Sequence, residues 1–386
     1  MKFKGYRRSD GRVGVRNHVV VMPGVTCAAV AAKKIAATVP GAVYMHNPNG
    51  CAQTPRDTAI TLNILSGMIA NGNVYGALIV GLGCETIQEE MYVEAVAQKT
   101  DKPLHYIALQ KSGGLKGTVD SGVKIVQELI QGAEICRRVD CDLSDLILGL
   151  ECGGSDPTSG FSANSVLGAA SDAVVDSGGT AVLTETPEAI GAEHILRERG
   201  ATPEVGQRIY DAVKNNEKLF LDLGMDVRSA NPSPGNKASG ITTLEEKSLG
   251  CIHKAGARPF TESYSYGDMI DKKGLMFMDT TAYDVCSTVA KVAGGAQVVV
   301  FTTGMGTPVG TAVAPVIKMT GNRDTYKNLE DILDFDSSAS IYGEKTTEEL
   351  GGELLEYILR VASGERVKAE INEAFDMAIN QFASYC

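Results

Sequence analysis

Residues 146–160 have the sequence LILGLECGGSDPTSG, in which a short apolar run is followed by a polar turn rich in glycine. The same unit, an apolar run, then a turn, then a helical stretch, recurs at residues 18–28, 77–85, 180–189, 275–284 and 297–310. Short apolar runs that alternate with helical segments are typical of buried parallel strands in α/β units. The pattern therefore predicts an α/β fold.

Helical periodicity is clear in several segments between or after these runs. Leu350, Leu354 and Ile358 recur at helical spacing, which predicts a helix with one buried stripe. Residues 187–199 and 203–223 are also predicted to be helical. Together the strands and helices favour a layered arrangement in which helices cover both faces of a sheet.

We expect two domains, each with a mostly parallel sheet flanked by helices in a Rossmann-like, three-layer arrangement. The charged stretch 136–145 precedes a new strand, so the predicted domains are 1–140, with arginine-rich and cysteine motifs, and 141–386. Residues 226–274 are polar and show no strand–helix unit. A segment of that length without regular structure is usually a lid or a binding loop, and we expect an active-site loop here.

The composition of the chain argues against several classes of protein. The net charge of −11 argues against a nucleic-acid partner and against an anionic membrane surface. No apolar run is long enough to span a bilayer, and the first residues lack the apolar segment of a signal peptide. The nine cysteines are scattered without C-x-x-C spacing, which is typical of free thiols in a reducing cytoplasm. We therefore expect a cytoplasmic protein.

Thiol and carboxylate side chains directly follow two of the predicted strands. Cys84 and Glu85 follow one strand, and Glu151 and Cys152 end another. Ligands in open α/β sheets bind outside the carboxyl ends of the strands, which makes these residues a candidate site. The ordinary alternatives stay open, because Ser155 is a good helix cap and a single free cysteine is usually a small buried side chain.

The stretch GYRRSDGRVGVRN, residues 5–17, is strongly basic in an acidic protein. It contains Arg12 and Arg16, followed by Asn17. Guanidinium groups bind carboxylates through two parallel hydrogen bonds, so this turn is a candidate binding site for the carboxylate of an acid substrate. A solvated arm or an intersubunit salt bridge is the alternative.

Two further segments carry reactive side chains. His46 lies five residues before Cys51, and three thiols brought together by the fold could hold iron, alone or as a cluster. Residues 231–251 combine prolines and glycines with Asn236, Lys237 and Glu245. Such a segment can close over a ligand and bring Lys237 in as an acid or base, or it can be an ordinary surface crossing.

These blocks together resemble the large, catalytic part of the altronate/galactarate dehydratase family. The resemblance is collinear and covers nearly the whole chain. The matching pieces are YRRSDGRVGVRN (6–17), HNPNGCAQ (46–53), IVGLGCE (79–85), GLECGGSD (149–156), TAVLTETPE (180–188), NPSPGNKASGITTLEEKSLGC (231–251), GMGTP (304–308) and DFD (334–336).

The resemblance implies a metal-dependent hydro-lyase that converts a sugar acid such as altronate or galactarate into a 2-keto-3-deoxy acid. It implies Fe²⁺, with an iron–sulfur cluster or Mn²⁺ as alternatives. It also implies a separate small, β-rich subunit, since single-chain members carry such a domain first, and an oligomeric assembly. Met305 stands where relatives have arginine, which puts the choice of acid in doubt.

On this basis each role has candidates. The expected metal ligands are Cys51, Cys84, Cys152, Glu85 and Glu151. The expected acid–base residues are Lys237, His46 and Glu245. The expected substrate-binding residues are Arg12, Arg16, Asn17, Ser155, Asp156 and Asn236. Two other functions stay open: a carbon–sulfur lyase acting on sulfolactate, and a non-catalytic subunit that binds a sugar acid. The presence of Cys51 and Cys84 favours the sugar-acid branch.

Overall fold

The structure is a computed structural model that describes residues 1–385. Its strands are β1 (Lys2–Arg7), β2 (Val13–Gly14), β3 (His18–Pro23), β4 (Ala42–Tyr44), β5 (Val74–Gly81), β6 (Leu104–Ala108), β7 (Val139–Asp142), β8 (Ile147–Cys152), β9 (Thr180–Leu183), β10 (Phe260–Tyr264), β11 (Gly274–Met278), β12 (Val298–Thr303), β13 (Val316–Thr320) and β14 (Phe335–Asp336). Its α-helices are α1 (Ala29–Thr38), α2 (Pro55–Ala70), α3 (Glu89–Ala97), α4 (Gly114–Ile135), α5 (Asn164–Asp176), α6 (Glu193–Glu198), α7 (Pro203–Asp222), α8 (Pro234–Ala238), α9 (Leu244–Ile252), α10 (Asp284–Ala293), α11 (Arg323–Asn328), α12 (Thr347–Ala362) and α13 (Lys368–Ile371).

The first parallel sheet has four strands in the order β4-β3-β5-β6. Val19 and Val21 of β3 pack in one apolar cluster with residues of α1 and α4. Val20 and Met22 alternate with these two residues along the strand and belong to a second apolar cluster, which contains residues of α2 and α3. Because side chains alternate between the faces of a strand, this run of apolar residues buries both faces and builds three layers.

The second parallel sheet has seven strands in the order β10-β11-β9-β8-β12-β13-β14. Helices α5 and α12 pack against each other on it, and α10 contacts β8 and α2. The chain proceeds from β8 to β9 on one side and later from β12 to β13 on the other. The strand order therefore reverses between β8 and β12, which is where open α/β sheets form a ligand crevice.

The predicted α/β class with two helix-flanked parallel sheets is confirmed, and the six apolar runs are β3, β5, β8, β9, β11 and β12. Helix 203–223 is α7, and the stripe at 350–358 lies on α12. Helix 187–199 is interrupted, since a 3₁₀ turn and Gly191 at φ 94° precede α6. The domain boundary near residue 140 stays a prediction.

Two features were not predicted. Strands β2, β1 and β7 form a small antiparallel sheet, with Phe3 opposite Cys141. Residues 226–274 contain α8, α9 and the edge strand β10, so the expected lack of regular structure was wrong, whereas the expected active-site role of this segment stays a prediction. The reason is that β10 lies at the edge of the sheet, where only Phe260 pairs on the outer side, and keeps polar residues such as Glu262 and Ser263, which conceals it among loop residues.

No helix within residues 1–385 combines the length and the apolar character that crossing a membrane requires.

Candidate active site

The candidate site lies at the carboxyl ends of β8 and β12, where the strand order reverses. Strand β8 ends at Cys152 and continues into two glycines. The carbonyl of Gly154 accepts hydrogen bonds from the backbone N–H groups of Gly304 and Met305, at 3.0 and 2.8 Å. These bonds fix the turn after β8 to the turn after β12 and so define the floor of the crevice.

Three carboxylates meet at this edge. Glu151 is the residue before the end of β8, Glu185 follows β9 and Asp284 begins α10, and each offers an oxygen within 4.8 Å of the others. The Oε2 atom of Glu151 pairs with the ammonium of Lys291, and both side chains are fully buried. The Oε1 atom of Glu151 is buried without a hydrogen-bond partner. A buried acceptor without a partner costs free energy, so this oxygen is suited to a ligand.

The proximity of these carboxylates changes their protonation. Burial, together with the neighbouring charge of Glu151, raises the pKa of Glu185 to about 8. Burial, together with the charge of Glu185, raises the pKa of Asp284 to about 7. Like charges in a poorly solvated site favour the protonated form of one partner. Strongly shifted acids in a crevice are typical of functional sites.

The backbone at this edge is shaped to hold the acids together. Glu185 has a left-handed conformation, with φ 69° and ψ 59°, which is uncommon for a residue other than glycine. The hydroxyl of Thr280 accepts from the Glu185 N–H at 2.8 Å, and the Glu185 carboxylate accepts from the Cys152 N–H at 3.1 Å. A β-carbon at Gly153 would lie 2.3 Å from an oxygen of Asp284, so only glycine allows this approach.

A second buried cluster adjoins the carboxylates and centres on Lys254. Its ammonium lies 2.8 Å from the sulfur of Cys251, 3.1 Å from that of Cys152 and 2.7 Å from Glu185. The Cys152 thiol donates to Cys251 at 3.6 Å, and this bond, with the charge of Lys254, lowers the pKa of Cys251. The pKa of Cys152 is raised by that bond and by burial. Burial opposes the charge on Lys254, but the two sulfurs and Glu185 outweigh it and raise its pKa.

The thiols form part of the wall of a cleft of 340 Å³, a volume suited to a small molecule. Ser155 and Asp156 line it, and the side chain of Asn236 donates to the Ser155 carbonyl at 2.8 Å. Lys247 lines it from α9. A π-helical turn, Ser159–Ala163, contributes to the wall, and π turns are frequent at functional sites.

The sequence-based candidates fall into separate groups. Glu151, Cys152, Ser155, Asp156 and Asn236 come together at the crevice, as described. Residues to which the sequence analysis gave no role are Glu185, Lys247, Cys251, Lys254, Asp284 and Lys291. Glu185 and Asp284 follow strands β9 and β11 in the same way as the residues that were chosen, and Lys254 follows Cys251 by one helical turn. These positions, after a strand or one helical turn from a cysteine, are the sequence features that could have identified Glu185, Asp284 and Lys254 as site residues.

Lys237 and Glu245 are not part of the buried clusters. Lys237 is exposed on α8. Glu245 is 44% exposed and pairs with Arg228 at 2.7 Å. Their expected acid–base roles stay predictions, but the structure favours other groups for proton transfer.

The arginine-rich segment has structural partners. Arg16 is buried and binds Glu370 through two hydrogen bonds of 2.7 and 2.8 Å, and its remaining N–H groups donate to backbone carbonyls. Arg12 pairs with Asp10 at 2.6 Å and lines a cavity beside the start of β8. Asn17 donates to the last turn of α4. These residues tie the N-terminal segment to the rest of the chain at positions away from the crevice.

The expected iron centre of Cys51, Cys84 and Cys152 is not assembled as one cluster. Cys152 is buried in the seven-stranded sheet, whereas Cys51 and Cys84 are exposed on loops of the four-stranded sheet. Glu85 accepts from the hydroxyl of Tyr106 at 2.6 Å and from two backbone N–H groups. Burial alone would raise the pKa of Glu85, but these hydrogen bonds outweigh it and lower the pKa.

His46, also on the four-stranded sheet, contacts the hydroxyl of Tyr44 at 2.9 Å. Burial and the nearby charge of Lys33 lower the pKa of His46. Cys386 lies outside the described residues.

Comparison with known proteins gives matches over nearly the whole chain. Residues 143–384 match the family model described as D-galactarate/altronate dehydratase, C-terminal, and residues 5–134 match that of the D-galactarate dehydratase/altronate hydrolase second domain. The chain is 37% identical to an altronate dehydratase of Bacillus subtilis, over 98% of this chain and 77% of the relative.

Two other relatives differ in their named reactions. A galactarate dehydratase (L-threo-forming) of Escherichia coli is 33% identical, over 94% of this chain and 73% of the relative. The beta subunit of a (2R)-sulfolactate sulfo-lyase of Chromohalobacter salexigens is 32% identical, over 95% of this chain and 94% of the relative.

Proposed function

The chain belongs to the D-galactarate/altronate dehydratase family and is a carbon–oxygen lyase, and we propose that it dehydrates a sugar acid of the altronate or galactarate type to a 2-keto-3-deoxy acid. One observation carries the proposal. Buried carboxylates with an unpaired oxygen adjoin a thiol–lysine cluster and a cleft, all at the carboxyl ends of the strands. This combination supplies acid, base and cation ligands in one place.

The carboxylates fit the divalent ion that the family resemblance implies. Glu151, Glu185 and Asp284 offer oxygens, which suit Mn²⁺ and Fe²⁺ among the divalent ions, and Oε1 of Glu151 lacks a partner. A second set, Cys152, Glu185 and Cys251, also lies within bonding range, but the ammonium of Lys254 already contacts all three. We therefore propose the three carboxylates as the ligands. Such an ion, when bound, stabilises negative charge on the substrate carboxylate by several kcal/mol.

The thiol–lysine cluster is placed to move protons. Dehydration requires a base for the proton at C2 and an acid for the hydroxyl that leaves from C3. Cys251, whose lowered pKa favours the thiolate, is the proposed base, and Lys254 holds its charge in place. Lys247 lines the same cleft and hydrogen-bonds Glu188 and Asn231, each at 2.9 Å. It is the proposed acid for the departing hydroxyl.

The polar wall of the cleft would orient the sugar hydroxyls. Asp156 accepts from the side chain of Asn322 at 2.9 Å, and Ser155 is held by Asn236. These contacts fix the polar groups before a ligand arrives, and preorganised groups cost less free energy to align during the reaction.

The test is an anaerobic assay of the purified chain with Mn²⁺ or Fe²⁺ and either altronate or galactarate, followed as 2-keto acid. Glu185→Gln should abolish turnover, because it removes a ligand charge from the carboxylates. Glu356→Gln, at an exposed position on α12, is the matched control and should retain turnover. Full activity of Glu185→Gln, or no keto acid from either substrate with any ion, would contradict the proposal.

A second candidate reaction follows from the sulfo-lyase relative, because this chain and that subunit match over nearly their full lengths. Release of sulfite from sulfolactate, without keto acid from sugar acids, would favour a carbon–sulfur lyase. The relative is named as a beta subunit, so we also propose that a further subunit joins this chain. If neither substrate reacts, with or without such a subunit, the remaining hypothesis is a non-catalytic sugar-acid-binding subunit.

A further inference from the structure

Two buried cysteines lie in contact at the wall of the cleft. Cys152 ends β8, Cys251 lies in the last turn of α9, and their sulfurs are 3.6 Å apart. A disulfide requires about 2.05 Å between the sulfurs, and small side-chain rotations can close the remaining gap. Among the cysteines of residues 1–385, no other two thiols are in hydrogen-bond contact.

The backbone holds both cysteines in these positions. Cys152 belongs to a strand that is paired on both sides, by β9 and β12. The side chain of Asn164 donates to the carbonyl of Gly250, next to Cys251, at 3.0 Å. A β-carbon at Gly250 would lie 3.1 Å from the α-carbon of Gly160, so α9 packs closely on the π-helical turn. The two sulfurs are therefore presented to each other in advance, which favours a reaction between them.

The neighbours of the pair assign different parts to the two thiols. The sulfur of Cys251 accepts from the Cys152 thiol at 3.6 Å and from the ammonium of Lys254 at 2.8 Å. Both donors favour the thiolate of Cys251, and the thiolate is the form of cysteine that attacks other atoms. Cys251 is therefore the thiol expected to react first, and Cys152 is the thiol beside it that can complete a disulfide.

A small oxidant can reach the pair. Both thiols line the cleft of 340 Å³, and each is 4% exposed. This opening suits a molecule as small as hydrogen peroxide. When peroxide oxidises a cysteine to a sulfenic acid, a second thiol in contact condenses with it to a disulfide.

We propose that Cys152 and Cys251 are a peroxide-sensitive site that closes to a reversible disulfide. The sulfur of Cys251 attacks one oxygen of hydrogen peroxide, the O–O bond breaks, the departing oxygen becomes water, and Cys251 becomes a sulfenic acid. The sulfur of Cys152 then attacks that of Cys251, the S–O bond breaks and a second water leaves. Overall the two thiols lose two electrons and two protons, and one peroxide takes them up to give two waters.

The disulfide would stop the proposed reaction. Cys251 is the proposed base, and in a disulfide it has no free thiol to accept a proton. Turnover should therefore fall on oxidation and return after treatment with a dithiol reductant. This loss of turnover rests on the proposed function, whereas formation of the disulfide does not.

The test is peroxide treatment of the full, reduced chain. Free thiols are then blocked with N-ethylmaleimide under denaturing conditions, and the peptides are mapped by mass spectrometry. The wild type should give a peptide in which a disulfide joins Cys152 to Cys251, and dithiothreitol should release it. Cys251→Ser should lose this peptide, whereas Cys136→Ser, at a thiol that follows α4, should retain it. Turnover is measured on the same samples.

The exposed thiol of Cys51 reports whether peroxide has reacted. Oxidised Cys51 without the linked peptide in the wild type would overturn the proposal. The linked peptide with unchanged turnover would overturn its inhibitory role. If the reduced chain dehydrates no sugar acid, the proposed function fails, and the peptide map still decides whether the disulfide forms. Circular dichroism of Cys251→Ser should match the wild type, which would show that the missing peptide does not reflect unfolding.

Discussion

The ammonium of Lys254 lies 2.8 Å from the sulfur of Cys251, and both side chains are buried in the interior beside Glu185. A buried ammonium is stable only when its charge is balanced, and the acidic groups that contact it here are the thiol of Cys251, whose pKa is lowered, and the carboxyl group of Glu185. The pairing places a buried thiol of lowered pKa in the wall of the cleft. It links the protonation chemistry of the site to the stability of the fold.

The variant Lys254→Met should lose stability and alter thiol reactivity together. Removing one partner of a buried charge pair costs about 3–5 kcal/mol, so the free energy of unfolding in urea should fall by that order. The pKa of Cys251 should rise, so alkylation by iodoacetamide should require higher pH. The double variant Lys254→Met with Glu185→Gln should be less than additive. An unchanged alkylation profile would separate Lys254 from the thiolate.

Glu151→Gln should weaken divalent-ion binding, and it should also lower stability, because it leaves the buried ammonium of Lys291 without its charged partner. The amide preserves volume but removes the charge and changes the unpaired Oε1 position. We expect the dissociation constant for Mn²⁺ to rise by at least about tenfold, measured from the free Mn²⁺ signal in electron paramagnetic resonance. Glu356→Gln serves again as the exposed control. The same Mn²⁺ affinity in both variants would remove Glu151 from the ligand set.

Gly153→Ala should damage the site through a steric conflict. Its β-carbon would lie 2.3 Å from the carboxylate of Asp284, which must then move away from Glu185. We expect a loss of about 1–3 kcal/mol of stability, measured in urea, and a fall in turnover. The matched control is Gly352→Ala on α12, where the β-carbon meets open space and should stabilise the helix by about 1 kcal/mol.

Arg16→Lys should reduce stability and leave substrate affinity unchanged. Arg16 makes two hydrogen bonds to Glu370, and lysine cannot reproduce both. The expected loss is about 1.5–3 kcal/mol per charged hydrogen bond that is not replaced, measured by urea unfolding. If instead KM for the sugar acid rises while stability is unchanged, Arg16 binds substrate, as the sequence motif suggested.

Lys102 should make stability increase with pH. It is buried, it donates to the carbonyl of Ala70 at 2.9 Å, and burial lowers its pKa to about 7. The unfolded chain keeps the proton up to about pH 10.4, so it binds more protons than the folded chain between pH 7 and 10. The free energy of unfolding should therefore rise across this window, by up to about 1.4 kcal/mol per pH unit from this group.

Comparison of the wild type with Lys102→Met isolates that contribution. Urea unfolding at pH 7 and at pH 9 should give a smaller increase with pH in the variant. An identical pH dependence in both proteins would show that Lys102 remains charged in the folded chain.

The local pattern of apolar residues predicted most of the architecture. The run HVVVMP at 18–23 and the run VVVFTT at 298–303 are apolar on both faces, and buried parallel strands require that. The edge strand β10 escaped prediction, because a strand that is half exposed keeps polar residues such as Glu262. The antiparallel pairing of Phe3 with Cys141 also escaped it, since no local signal links positions so far apart in the chain.

The sequence by itself determined the family, the two parallel sheets and the strand-end location of the chemistry, because these depend on motifs and on apolar periodicity within short segments. Only the tertiary structure decided that Cys152 joins Cys251 and Lys254, whereas Cys51 and Cys84 remain on the other sheet. Which strand ends face a common cleft depends on sheet order and loop packing. Those are set by the burial of many distant side chains together, and no single segment encodes them.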